Sequence, residues 1–126
     1  MDAAQALREL TELSSQITSA AVLDAEGAVL ASAPESEPVA TRLAGAAQEL
    51  VAAAAGLGAG DDDVTRVEVE LDEGALFVVR DGGHTIVATT GPLPTSGLVV
   101  YDLRTCAQAI SPAKKRRARK PKEPAE

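Results

Sequence analysis

The residue types that most often carry enzyme chemistry are scarce in this chain. It contains one histidine, His84, and one cysteine, Cys106, and neither stands in a spacing such as CxxC, HxxxH or GxSxG. His84 follows a Gly-Gly turn at the start of a predicted strand, where we expect an exposed or hydrogen-bonded side chain. Cys106 falls on the apolar side of a predicted helix, where a free thiol packs as a small hydrophobic residue. Neither residue is predicted to be catalytic.

Acidic and glycine-rich segments are the other places where a site could form. Asp61, Asp62 and Asp63 are consecutive, whereas calcium loops alternate ligands with spacers and need further oxygens. The glycines before them follow a helix, whereas a phosphate-binding loop links a strand to a helix. Glu68 and Glu70 lie on the solvent-facing side of a predicted strand, whereas acid–base catalysis needs carboxylates in a desolvated cleft. The sequence therefore predicts no metal site, no nucleotide site, no cofactor and no enzyme activity.

Length and composition predict one domain located in the cytoplasm. The chain has 126 residues, of which 45% are hydrophobic and only 2% aromatic, so its core must consist of small and branched aliphatic side chains. A single cysteine cannot form an internal disulfide, and no apolar run of about 18 residues could span a bilayer. The N-terminal residues lack the basic and apolar regions of a secretory signal.

The charge is divided unevenly along the chain. Residues 1–113 contain seventeen acidic and five basic side chains, a formal charge of −12, whereas residues 114–126 contain seven basic and two acidic ones, a charge of +5. An acidic body repels phosphate groups. Any affinity for nucleic acid or anionic lipid is therefore expected in the tail.

Hydrophobic spacing predicts three helices. Leu7, Leu10 and Leu13 recur every three residues and predict a helix over residues 3–15 that is buried along one stripe. Apolar residues at steps of three and four predict a long second helix over residues 39–57, preceded by Pro38 and acidic residues that suit a helix start. Apolar positions between residues 99 and 110 predict a third helix.

Alternating and β-branched runs predict five strands between these helices. Residues 17–23 and 28–33 form a hairpin around Gly27, and residues 67–71, 75–79 and 84–90 form an antiparallel meander. The resulting order, α-β-β-α-β-β-β-α, predicts an α+β fold with helices layered on a five-stranded antiparallel sheet. Residues 1–111 are predicted to form this domain, and residues 112–126 a disordered basic tail.

This order of elements resembles the Roadblock/LC7 domain family. The resemblance is carried by the leucine-stepped first helix, the hairpin around Asp24 and Gly27, the Ala-rich second helix, the meander, and the Gly97-Leu98-Val99 entry into the last helix. It covers residues 3–111. It implies a homodimer in which the second helices pack together and the third strands pair edge to edge. It further implies a small Ras-like GTPase as partner, as for the bacterial MglB-type proteins, and the Ala-rich composition favours this bacterial branch.

The residues themselves also favour such an assembly. Small side chains on the second helix permit close helix approach, and the alternation in residues 67–71 is typical of an edge strand that must be covered or paired. The candidate interface residues are Leu43, Ala46, Ala47, Leu50, Val51, Ala54, Val67 and Val69. The alternative is that the alanines pack only on their own sheet, and for Ala54 the two hypotheses are equal. Arg42 is interpreted as a solvated helix residue, so no catalytic arginine finger is assigned.

The basic tail and the function leave alternatives open. The tail residues that could make electrostatic contacts are Lys114, Lys115, Arg116, Arg117, Arg119 and Lys120. They could serve as a solubilising appendage, a weak and salt-sensitive tether to anionic membrane, or an arm for an acidic partner. Without aromatic side chains they are not expected to recognise nucleic acid specifically. The alternatives to a GTPase regulator are a small-ligand sensor domain and an adaptor tethered by its tail to anionic membrane or nucleic acid.

Overall fold

The structure, a computed structural model, describes residues 1–58 and 64–110. Its elements follow the predicted order α-β-β-α-β-β-β-α. They are α1 (Ala3–Leu13), β1 (Ile17–Leu23), β2 (Val29–Ala33), α2 (Glu37–Ala55), β3 (Arg66–Leu71), β4 (Gly74–Asp81), β5 (His84–Thr90) and α3 (Ser96–Ala109). The predicted α+β fold with a five-stranded antiparallel sheet is confirmed.

Side-chain caps fix where the first two helices begin. The carboxylate of Asp2 accepts a hydrogen bond from the backbone N–H of Gln5 at 2.8 Å, so α1 starts at residue 3 as predicted. The Ser36 hydroxyl accepts one from the backbone N–H of Val39 at 3.5 Å. Because an N-cap residue closes the first turn of a helix, α2 begins at Glu37, two residues before its predicted start.

The sheet order is β2-β1-β5-β4-β3, with every neighbouring pair antiparallel. The β1–β2 hairpin and the β3–β4–β5 meander form as predicted. They are joined side by side through β1 and β5, in a register that sets Ala20 opposite Ala88. This arrangement leaves β2 and β3 as the two edges of the sheet.

Two glycines are required by the geometry of the sheet ends. Gly27, at φ +89°, closes the β1–β2 turn, where the Asp24 carboxylate accepts hydrogen bonds from the backbone N–H groups of Glu26 and Ala28 at 2.9 Å each. At Gly74 a Cβ atom would overlap the carbonyl oxygen of Thr90. A side chain at position 74 would therefore push β4 away from β5.

The two faces of the sheet carry separate clusters of buried side chains. Helices α1 and α3 cover one face, where the large side chains Leu7, Phe77 and Leu103 are at most 2% exposed. Helix α2 covers the other face through Leu43, Ala44 and Ala47. No aromatic residue belongs to this second cluster, so its packing depends on small aliphatic side chains.

Two predicted positions differ from the structure, and a third, His84, retains one of its two expected alternatives. Leu13 is 82% exposed and Leu57 is 91% exposed, because α1 ends at Leu13 and α2 ends at Ala55, before Leu57. His84 is only 6% exposed, which excludes the exposed one of its two expected alternatives. His84 lies two residues before Ile86 in β5. Its side chain therefore points to the same face of the sheet, the face that α1 and α3 cover.

Two predictions concern residues outside the described part of the chain. These are the acidic loop containing Asp61, Asp62 and Asp63, and the disordered tail over residues 112–126, which includes all six candidate electrostatic contacts. Among the helices in residues 1–58 and 64–110, none is both long and apolar enough to cross a membrane.

Candidate protein-binding surface

The β3 edge is the least covered part of the sheet. Within residues 1–58 and 64–110, strand β3 pairs only with β4, in a register that sets Arg66 opposite Val79 and Leu71 opposite Gly74. Helix α2 touches it only slightly, whereas α3 packs on β4 and β5. The start of β3 is fixed by Arg80, whose guanidinium donates to the Val64 carbonyl at 3.2 Å. An edge with free backbone groups is a template for pairing with another chain.

The alternating valines of β3 lie on the same face as α2. Their cross-strand partners on β4 are Val78, opposite Val67, and Leu76, opposite Val69. Both valines are only half-buried, and Leu71 is 52% exposed. The face predicted to be buried is therefore apolar but incompletely covered within one protomer.

Helix α2 extends this apolar surface. Leu50 packs against the same cluster as Val67, and Ala46 lies one turn before it on the same side of the helix. The opposite side of α2 faces the β1–β2 hairpin, where the Gln48 side-chain amide donates to the Gly27 carbonyl at 3.2 Å. We define the β3–α2 surface as Ala46, Leu50, Ala54, Val67, Val69 and Leu71, all half-buried or exposed.

Three of the eight candidate interface residues lie elsewhere. Leu43 is 6% and Ala47 is 1% exposed, because they face the protomer's own sheet and pack against residues such as Val87. Val51 is half-buried and packs against the same cluster as Leu50 and Val67, but it also lines a cleft of about 260 Å³ beside the β1–β2 hairpin. The remaining candidates, Ala46, Leu50, Ala54, Val67 and Val69, share the β3–α2 surface. Leu71 also belongs to this surface but is not among the predicted candidates, although it continues the row of apolar residues formed by Val67 and Val69.

The other face of β3 is charged. Arg66, Glu68 and Glu70 alternate with the valines and are exposed, on the side of the sheet where α1 and α3 pack. One carboxylate oxygen of Glu68 accepts a hydrogen bond from the Ser96 hydroxyl at 2.7 Å, which links β3 to the start of α3. The edge thus combines an apolar face, a charged face and free backbone groups.

The candidate chemical groups lie away from this edge. Burial raises the pKa of the Cys106 thiol from its ordinary value of 9.0 to about 11, so the thiol stays protonated at neutral pH and is a poor nucleophile. Arg42 is exposed on α2. Within the described ranges, no three or more His, Cys, Asp or Glu side chains are grouped closely enough to hold a metal ion.

Several clefts open on the surface of the described part, and they differ in position and lining. A groove between α1 and α3 is lined by apolar residues such as Leu10 and Leu13, with the carboxylates of Glu9 and Asp102 beside them. Between the helices and the sheet, by contrast, Phe77 and its neighbours are fully buried. Side chains thus fill the centre of the layer that α1 and α3 form with the sheet, whereas the cleft of about 260 Å³ lies between α2 and one end of the sheet.

Comparisons with known proteins agree with this architecture. The family model of the Roadblock/LC7 domain matches residues 3–90. Among curated proteins, none matches the chain significantly. The solved structure of a Roadblock/LC7 domain from Streptomyces avermitilis is 26% identical and has a TM-score of 0.73 over 86% of this chain and 94% of that chain.

Two MglB structures show a similar fold at lower identity. The gliding protein MglB from Thermus thermophilus is 23% identical, with a TM-score of 0.64 over 86% of this chain and 84% of that chain. A structure described as MglB with a tetrameric arrangement is 24% identical, with the same TM-score and coverage. These similarities show that the fold is shared.

Proposed function

Because the chain belongs to the Roadblock/LC7 domain family, we propose that it works as a homodimeric protein-binding module that regulates or scaffolds a small Ras-like GTPase. The observation that carries the proposal is the β3–α2 surface, where an unpaired strand edge adjoins an apolar face that one helix leaves half-covered. A second copy that supplies the same edge and the same helix would cover both. The module itself is proposed to be non-catalytic.

Energetics favour an interface that combines side-chain burial with backbone pairing. Fully burying an exposed aliphatic side chain contributes about 1.5–3 kcal/mol, and the side chains of the β3–α2 surface are already half-buried, so each contributes less. Association costs on the order of 4–15 kcal/mol in lost freedom of motion. Backbone hydrogen bonds between the two β3 strands are therefore an expected part of the interface.

The dimer is tested by the mass in solution, measured by light scattering. Val69→Glu places a charge on the β3–α2 surface at a side chain outside both buried clusters, so the protomer should fold but dissociate. Ala54→Glu tests the helix in the same way. Val29→Glu is the matched control, because Val29 lies on the opposite edge strand and is 41% exposed. A monomeric wild-type protein, or a dimer that survives both charges, would contradict the proposed interface.

The GTPase partner is tested by calorimetric titration of this protein with a small Ras-like GTPase from the same organism. The GTPase is loaded with GDP in one series and with a nonhydrolysable GTP analogue in the other. A regulator should bind the two states with different affinity, since a ligand shifts an equilibrium only by its differential affinity. Equal affinities for the two states would indicate a scaffold without a regulatory role. The absence of binding to either state would refute the GTPase proposal. If hydrolysis accelerates, we expect the module to position the GTPase's own residues.

The tail is proposed to add weak electrostatic contact only. Its six basic candidates contribute up to about 1 kcal/mol each near anionic lipid. Binding to vesicles containing phosphatidylserine should therefore be measurable at low salt and lost at high salt, and deletion of residues 112–126 should abolish it. Undiminished binding after the deletion would show that the tail is not the contact.

A further inference from the structure

The groove between α1 and α3 lies on the outer side of the layer that these two helices form. Its floor is apolar, with Leu10, Leu13 and Ala109 among the lining residues, and Leu13 is 82% exposed. Its volume of about 60 Å³ equals that of roughly two molecules of liquid water. The groove is therefore too shallow to enclose a small molecule, and it suits a segment of polypeptide that lies over it.

The two helices run in opposite directions, which places the end of α3 at one end of the groove. The side-chain carbonyl of Gln16, three residues after α1 ends, accepts a hydrogen bond from the backbone N–H of Thr95 at 2.6 Å. Thr95 directly precedes α3, so the end of α1 lies beside the start of α3. Met1 and Ala109 line the groove toward its other end. The chain therefore continues from α3 into residues 111–126 at this end of the groove.

The side chains around the groove make it acidic. Glu9 and Asp102 line it, and the exposed Glu12 lies about one turn after Glu9 on α1. The basic side chains of the same two helices lie elsewhere: Arg8 lines a cleft beside β2, and Arg104 forms an ion pair with a carboxylate of β4. Among the described residues that line the groove, none is basic. A polypeptide segment that matches this groove therefore carries positive charge.

The segment that starts beside the groove is the most basic part of the chain. Residues 114–120 contain six Lys or Arg side chains in seven positions. Lys114 follows Ile110 by four residues, a reach of about 13 Å, and the rest of the segment extends the reach by about 20 Å. Asp102 lies about 12 Å back along α3 from Ile110, at 1.5 Å per residue. A chain that turns back after α3 can therefore place this segment beside the carboxylates of the groove.

Long basic side chains suit both properties of the groove. The aliphatic stems of Lys and Arg cover apolar surface while their charged ends remain in water, so they can lie over Leu13 and still reach Glu9. Exposed ion pairs are individually weak. The covalent connection compensates for this weakness, because it holds the segment at an effective concentration on the order of millimolar. Contacts that are too weak to retain a free peptide are therefore sufficient for a segment of the same chain.

From these features we propose that the groove between α1 and α3 is the docking site of the chain's own basic segment, residues 114–120, with Glu9 and Asp102 as the carboxylates that hold it. The segment then has two alternative binding surfaces, this groove and anionic lipid, and occupation of one withdraws it from the other. The inference goes beyond the proposed function, because it requires neither a second copy nor a GTPase.

The distribution of lysine along the chain makes the docking directly measurable. A carbodiimide joins an amine to a carboxylate in direct contact with it and adds no spacer. Mass spectrometry of the digested full-length protein then identifies each linked pair. All four lysines of the chain belong to the basic tail: Lys114, Lys115, Lys120 and Lys122.

Links from these lysines to Glu9 or Asp102 should be about fivefold more abundant than links to Glu26 or Glu49, because the groove concentrates the segment beside its own carboxylates. Glu26 and Glu49 are the matched controls, since both are exposed and lie on the β1–β2 turn and on α2. Equal abundance would overturn the proposal. Links that join ¹⁵N-labelled to unlabelled copies in a mixed sample would also overturn it, because they would place the segment on a second copy.

Neutralising the groove should release the segment to anionic lipid. Vesicles containing phosphatidylserine are titrated with two double variants of equal net charge, Glu9→Gln with Asp102→Asn and Glu26→Gln with Glu49→Gln. The groove variant should bind about threefold more tightly than the matched variant, because apparent affinity is proportional to the fraction of segments that are free to bind. Circular dichroism checks that both variants fold. Equal affinities of the two folded variants would overturn the proposal.

Discussion

Two helices, α1 and α3, cover one face of the sheet, whereas α2 alone covers the other. The first face buries the only phenylalanine and most of the larger side chains of the core. The second face buries a smaller cluster of alanine, leucine and valine side chains and leaves valines of the β3 edge half-exposed. This difference indicates that folding stability is concentrated on one face and that the other retains apolar surface for association.

The largest expected difference between the two faces is in the loss of unfolding free energy when a side chain is truncated. It is expected at Phe77, which is buried in the face that α1 and α3 cover. Phe77→Ala should lower the free energy of unfolding by about 3–5 kcal/mol, because it empties a fully buried position. Val69→Ala on the second face should cost less than about 1 kcal/mol at a protein concentration low enough to favour the monomer. Urea unfolding measures both. The fully buried Val79 gives the matched valine control, and equal losses for Val79→Ala and Val69→Ala would refute the comparison.

A smaller effect should appear at high pH on the first face. Burial raises the pKa of the Cys106 thiol to about 11, from 9.0. Below pH 9 the thiol is protonated in both the folded and the unfolded chain. The contribution of its burial to the free energy of unfolding is therefore fully present. Between pH 9 and 11 only the unfolded chain releases the proton, so the free energy of unfolding should fall, by on the order of 2 kcal/mol.

The control for the pH effect is Cys106→Ala, which lacks the titrating group. Its free energy of unfolding, measured by urea titration across the same pH range, should fall less steeply than that of the wild type. Identical slopes would show that the environment of Cys106 is not as dry as the packing of α1 and α3 indicates.

The smallest expected effects concern the caps of the helices on the two faces. Asp2→Ala should destabilise the fold by about 1 kcal/mol, since it removes a 2.8 Å hydrogen bond to the start of α1. Ser36→Ala should cost only about a few tenths of a kcal/mol, since the corresponding contact in α2 is 3.5 Å long. Thermal unfolding of both variants measures the difference, and a larger loss for Ser36→Ala would reverse this ranking.

The sequence was sufficient for the elements because each is specified by local periodicity. Strands β1 and β5 have their predicted limits, since β-branched runs end at clear turn residues. Helix α3 starts at Ser96, three residues before its predicted position, because apolar spacing marks only the buried positions from Val99 onward and its first residues, Ser96 and Gly97, are not apolar.

The candidate surface was only partly predictable, because it depends on which side of an apolar helix meets the sheet. The apolar arc of α2 is wider than one contact, and spacing alone placed Leu43 and Ala47 on the same predicted interface as Ala46 and Leu50. The structure separates them by tertiary packing. The strand order likewise requires β5 to lie beside β1, a pairing between distant segments that no local pattern encodes. The edge position of β3, by contrast, was predicted from the alternation in residues 67–71 and agrees with the strand order.

The pairing of β1 with β5 also determines when this domain can fold during synthesis. Strands β1 and β2 emerge from the ribosome early, yet the sheet that contains them is joined to the meander only through β5. At about 5–20 residues per second, the N-terminal hairpin must wait several seconds for its neighbour, with the β5-facing backbone groups of β1 not yet paired. Because α3, which follows β5, then completes the first face, the nascent chain acquires its stability late and in one cooperative step.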